Sequence, residues 1–256
     1  MASDREGLGL HRGGLIIGRY AWLLLLAAGA AHANHPMFTE DTQVLGKDRN
    51  QVELHGVRAK DGATRRDEGS VTLSRGVHET ADLQLELPYI RLRSDDARES
   101  GVGDTTVSLK WRVYESGPFA LLVRPDVIFP TGDDARGLGA GRTRWGLNGA
   151  ASYEIGAVEV IGHLGYLDNR NTLGERRALR HASIAALWSP VHAVTLLVDY
   201  ARDTNPDPGD ERASREVVFG LMYAWSKDVD IGVGLQRGLS EPADDRALRA
   251  GLKVRW

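Results

Sequence analysis

Apolar residues recur at every second position along most of this chain, and that period belongs to strands. Val107, Leu109, Trp111 and Val113 form one face of such a segment, while Thr106, Ser108, Lys110 and Arg112 form the other. Phe119, Leu121, Val123, Pro125, Val127 and Phe129 repeat the pattern, as do Val217, Phe219, Leu221, Tyr223 and Trp225. Twelve such segments can be marked, with 50–60, 69–78 and 178–189 the weakest. Each runs about 10 residues, the length a tilted transmembrane strand needs. A mean hydropathy of −0.31 is too low for a bundle of membrane helices. It suits strands that are apolar on one face only.

A soluble β-sandwich would alternate equally well, so the connections decide. Links after odd-numbered segments are long and charged (60–69, 93–101, 131–141, 168–177, 202–213, 240–245), and links after even-numbered ones are short, such as Glu79-Thr80, Gly156-Ala157 and Lys227-Asp228. Aromatics stand at the ends of the apolar faces: Trp145, Tyr153, Tyr166, Tyr200, Trp225 and Trp256. The expected fold is all-β: one antiparallel transmembrane β-barrel of about 12 strands, with short periplasmic turns, longer extracellular loops and aromatic girdles.

The first 33 residues read as a cleavable signal peptide, with Arg12 and Arg19 ahead of the apolar run 21–33 and Ala31-His32-Ala33 at its end. Residues 34–49 would then be a periplasmic segment, either a plug in the barrel mouth or a loose tether, and 50–256 the barrel. Export places the protein in the envelope, and the strand pattern places it in the bacterial outer membrane. The chain has no cysteine, which excludes a disulfide framework, an Fe–S cluster and a thiol nucleophile. A net charge of −3 gives no reason to expect nucleic acid as a partner.

Three stretches carry a family likeness: His35-Pro36-Met37-Phe38-Thr39-Glu40-Asp41-Thr42, Gly101-Val102-Gly103-Asp104-Thr105-Thr106, and Pro125-Asp126-Val127-Ile128-Phe129-Pro130-Thr131-Gly132-Asp133. With them the chain resembles the family of outer-membrane transporters named for the meta-pathway of phenol degradation. The resemblance covers nearly all of the chain after residue 33 and brings no catalytic residues. It implies a channel for small organic solutes. The terminal Trp256 resembles the signal read by barrel assembly machinery. Membrane lipids and lipopolysaccharide complete the expected partners.

If the apolar faces meet lipid, the alternate residues line the lumen: Lys110, Arg112, Arg124, Asp126, Glu154, Glu159, His163, Asp199, Glu216, Arg249 and Lys253. A charge at mid-bilayer on the lipid face costs roughly 2–4 kcal/mol, so one-sidedness is required. Such charges either form a constriction or pair as a brace for the wall. Twelve strands lie between filled eight-strand barrels and open porins, so the passage should be narrow.

Other chemistry is weakly indicated. His181 and Ser183 share a strand face, as a base and nucleophile would, but positions 179 and 187 are leucines and supply no third acid. The acidic run 203–211 lacks the spacing of a calcium loop. No catalytic, metal or cofactor site is assigned, and the reading is a passive channel, not an enzyme. The rivals are a lipid-modifying barrel enzyme and a closed structural or adhesive barrel.

Overall fold

The structure is a computed structural model that describes residues 36–94 and 98–256. The signal peptide expected at 1–33 lies outside the described residues.

Thirteen strands follow one another in sequence: β1 (Asn50–Asp61), β2 (Thr64–His78), β3 (Ala81–Arg93), β4 (Arg98–Val102), β5 (Thr105–Ser116), β6 (Phe119–Phe129), β7 (Arg144–Ile155), β8 (Val158–Asp168), β9 (Ala178–Val191), β10 (Val194–Asp203), β11 (Ser214–Ser226), β12 (Val229–Gly238) and β13 (Arg246–Arg255). Neighbours pair antiparallel, and β1 pairs with β13, so the sheet closes on itself. The short β4 pairs with the far end of β3 and β5 with its near end. These two share one position in the wall, and the result is a closed twelve-strand barrel with no free edge.

The five links at one end are all two residues long: Glu79-Thr80, Gly117-Pro118, Gly156-Ala157, His192-Ala193 and Lys227-Asp228. The other end carries the long connections. One expected long link is corrected. Residues 60–69 form no loop, because β1 and β2 run on to a two-residue turn at Gly62-Ala63. Beyond the bilayer both faces are wet, so the apolar alternation stops while the ladder continues. Arg58 and Asp67 pair across it at 2.6 Å.

Side chains alternate as the pleat requires. Leu109, Trp111, Leu147, Leu164, Phe219 and Leu235 are exposed on the outer wall, while Lys110, Ser108, Asn148, His163 and Gln236 point inward. Aromatics form two rings on the outer wall: Tyr89, Trp145, Tyr166 and Tyr200 toward the loop end, and Trp111, Tyr153, Trp188, Trp225 and Trp256 toward the turn end. Trp145 and Tyr153 are eight residues apart on one strand, roughly 20 Å of bilayer at a tilt near 40°. This apolar band between aromatic rings is the surface of a membrane-spanning barrel.

The two quoted motifs at the loop end meet. The Asp104 carboxylate accepts from Gly132 N (3.0 Å), Ala140 N (2.9 Å) and Arg144 Nη2 (3.0 Å). The Thr131 hydroxyl donates to Gly103 O at 2.9 Å and accepts from Thr105 N at 2.8 Å. Leu138 is thereby turned inward against Ile90 and Leu92. Asn169, Asn205 and the stretch Pro242, Ala243 and Asp244 are buried in the same mouth.

Candidate functional site

The inner wall and what crosses it form the candidate site. Residues 36–42 run through the lumen as a strap, all of them buried. The strands leave room for them by omitting side chains. A Cβ on Gly220 would come within 2.7 Å of the Pro36 ring, and one on Gly234 within 2.8 Å. Met37 and Phe38 pack on Ile161, Ala185, Leu187, Leu197, Ala201 and Val218, the apolar patch of the inner wall. The Arg249 guanidinium lies over the Phe38 ring, 4.4 Å from its centroid.

Polar contacts hold the rest of the strap to six strands, and the leader behind it to a seventh. Asp199 on β10 accepts from Phe38 N (2.5 Å) and Thr39 N (2.9 Å), and from the Thr39 hydroxyl at 2.6 Å. Glu40 pairs with Arg124 on β6 and with Lys110 on β5 at 2.9 Å. Asp41 pairs with Lys110 at 2.5 Å. Burial alone would raise the Asp41 carboxyl, but the Lys110 and Lys253 ammonium groups and the Gln43 N–H hold it below the usual carboxylate range. Glu40 N donates to His163 Nδ1 on β8 at 3.3 Å. That ring nitrogen is therefore unprotonated, and Nε2–H faces Asn148 Oδ1 at 3.1 Å. Thr42 meets Ser152 on β7 at 2.7 Å, and Asp82 on β3 accepts from Leu45 N at 2.9 Å. Ser183 on β9 stands 2.8 Å from the Thr39 hydroxyl.

The expected lumen residues fall into three groups. Lys110, Arg124, Asp126, His163 and Asp199 are buried and make or support the strap's contacts. Glu216 and Arg249 are buried nearer the loop end, where Arg249 donates to Gln236 and Arg66 bridges Glu68 and Asp244. Arg112, Glu159 and Lys253 are half-buried toward the turn end, and Glu154 is exposed on the rim beside Glu159.

The strap divides the turn-end mouth into two cavities, with Asp41 and Gln43 lining both. One, about 260 Å³, is lined by five cations (Arg49, Lys110, Lys227, Lys253, Arg255) against two carboxylates, Asp41 and Asp82. The other, about 290 Å³, is lined by Asp41, Glu154 and Glu159 and no cation.

Sequence reasoning missed one arrangement. The acid absent beside His181 and Ser183 on their own strand comes from the next one. Asp203 on β10 lies opposite His181 and meets its Nδ1 at 2.8 Å, while Nε2 meets Ser183 Oγ at 2.9 Å. The expectation that no third acid is present is thus corrected: cross-strand pairing supplies what same-strand spacing does not. Arg66, Glu68 and Asp82 also went unmarked: Arg66 and Glu68 fall in the stretch expected as a loop, and Asp82 precedes the marked alternation of its strand.

The family profile described as "Putative MetA-pathway of phenol degradation" matches residues 33–256. The chain belongs to that family. Among solved structures it is similar to an outer membrane channel from Pseudomonas putida F1, at 17% identity and a TM-score of 0.67, covering 84% of this chain and 98% of that one. The NanC porin shares 11% identity at a TM-score of 0.55, over 79% of this chain and 98% of its own. The KdgM porin, solved with disordered oligogalacturonate, shares 9% at 0.55, over 80% and 98%. Identities this low carry the fold alone. Among curated proteins, none matches the sequence.

Proposed function

We propose that this protein is a narrow, passive outer-membrane channel for small solutes, gated by its own N-terminal strap. The observation that carries the reading is a polar, charge-lined lumen inside a lipid-facing wall, crossed by a segment held to that wall by side-chain ion pairs, hydrogen bonds and packing rather than by strand pairing. The long-loop end faces outward and the two-residue turns face the periplasm, as in other barrels of this layout. Family membership and the likeness to a Pseudomonas channel and two porins support the same reading. Residues 1–33 serve as the export signal, 34–49 as strap and leader to the first strand, and 50–256 as the pore. Trp256 addresses the chain to the barrel assembly machinery, and lipopolysaccharide contacts the outer loops. Single-channel recording of the refolded chain in a planar bilayer tests this. Small discrete steps are expected, and a verified barrel that stays silent at every voltage overturns the reading.

A second reading rests on Asp203, His181 and Ser183, which are hydrogen-bonded in the order acid, base, nucleophile. The Ser183 hydroxyl, however, abuts Thr39 Oγ1 at 2.8 Å and is buried beneath the strap. We assign the trio to bracing the strap. A fluorophosphonate that labels Ser183 of the refolded barrel would reverse that assignment in favour of hydrolysis.

A further inference from the structure

The two cavities beside the strap are built from the same barrel end, yet their chemistry is opposite. In the basic one, most cations already have close partners: Lys110 has Glu40 and Asp41, and Arg255 has Asp230 and Gln51. Lys253 differs. Its side chain is 12% exposed, and its ion pair with Glu53 spans 3.8 Å, beyond hydrogen-bond reach. A largely buried ammonium whose ion pair is stretched to 3.8 Å, with Asp41 as a further acidic neighbour, would gain from a closer carboxylate. Arg49 stands at the mouth of the same cavity, half exposed and 3.8 Å from Asp228. The remaining lining is amide-rich, with Gln43, Gln51 and Gln84 and little apolar surface beyond Val44 and Leu45.

We propose that this cavity is a binding site for the carboxylate of a small hydrophilic organic acid, received by Lys253 and guided in by Arg49. The proposal rests on the channel reading and narrows its substrate class. A carboxylate on Lys253 replaces a stretched ion pair with a charge-assisted hydrogen bond, and the amides receive hydroxyl or second carboxyl groups. An unionised phenol offers neither the charge nor an apolar wall to lie against. The acidic cavity across the strap repels the same anion, so passage at this end is one-sided.

Titration calorimetry of the refolded full chain in detergent with sodium succinate tests the site without requiring current to flow. Saturable binding is expected, weakened about tenfold or more in Lys253→Gln. Lys253→Arg should keep it, and Arg49→Gln, on the exposed rim where folding is not at stake, should weaken it less. Arg237→Gln removes a cation from the outer wall and should change nothing. Absence of succinate binding, equal binding in Lys253→Gln, or equally tight binding of phenol each overturns the proposal. Bilayer recording separates the two readings. Conductance without succinate binding leaves the channel and removes the site, and binding to a silent barrel does the reverse.

Discussion

Two layers fill this barrel, and they are held by unlike means. At the loop end, a segment anchored at both ends by strands is drawn in by one carboxylate, Asp104, that ties Gly132, Ala140 and Arg144 together. At the turn end, a segment joined to the first strand through residues 43–49 lies across the lumen on ion pairs to Lys110 and Arg124. The outer layer is part of the wall's own architecture, whereas the strap can leave without unpairing a strand.

The largest effect is expected from cutting the strap. Deleting residues 36–42 should raise single-channel conductance several-fold while leaving the barrel folded, as judged by heat-modifiable gel mobility. An unchanged conductance would mean that the outer layer alone limits flow. Asp104→Ala should act oppositely. It strands the buried Arg144 guanidinium and two amides, costing about 3 kcal/mol in urea unfolding with a smaller effect on current. Gly234→Val, which drives a side chain into Pro36, should cost about 1–3 kcal/mol and loosen the strap, reading out as more frequent openings.

Acidity sharpens the contrast further. Asp41 has its folded pKa lowered, so its contribution to holding the strap is present above the ordinary value of 3.8 and is lost only as pH falls below it. Asp41's share of that hold should be the same at pH 5 as at pH 7, so Asp41→Asn should remove only the part of any conductance change that appears in stronger acid. The smallest effect belongs to an outer loop. Glu175 is raised to about 7 by burial, with Asn169 and Arg144 lowering it in part. A raised carboxyl binds its proton more tightly folded than unfolded, so stability falls as pH climbs from about 4.5 to about 7. Hydrogen-exchange protection factors in residues 169–177, taken relative to intrinsic exchange at each pH, should fall over that window and level off above it.

The barrel was legible because each strand sees lipid on one side only. Trp145 and Tyr153, or Val229 and Leu235, announce their face without any tertiary knowledge. The register of the odd and even links followed from the same alternation. The strap was not legible as a strap, since Phe38, Thr39, Glu40 and Asp41 read equally well as a tether. Their partners lie 69 to 161 residues away on five different strands. The signal, in retrospect, is Gly220 and Gly234 on the inner faces of β11 and β12, which leave vacant a surface that wall packing alone would fill. The Asp203–His181–Ser183 array escaped for a related reason: pairing across strands is fixed by register, which no single strand declares.

The seam where the barrel closes also dictates when it can form. Asn50 and Trp256 exchange two backbone hydrogen bonds, so the first wall residue and the final residue of the chain are direct neighbours. Every other strand pair can zip locally, but this one must wait until β13, the last strand, is in place. Until then the nascent sheet presents two unpaired edges and an apolar face to water, an aggregation hazard of long duration. An insertion that disrupts β13, which must meet β1 to close the wall, should therefore delay assembly more than the same insertion in any outer loop.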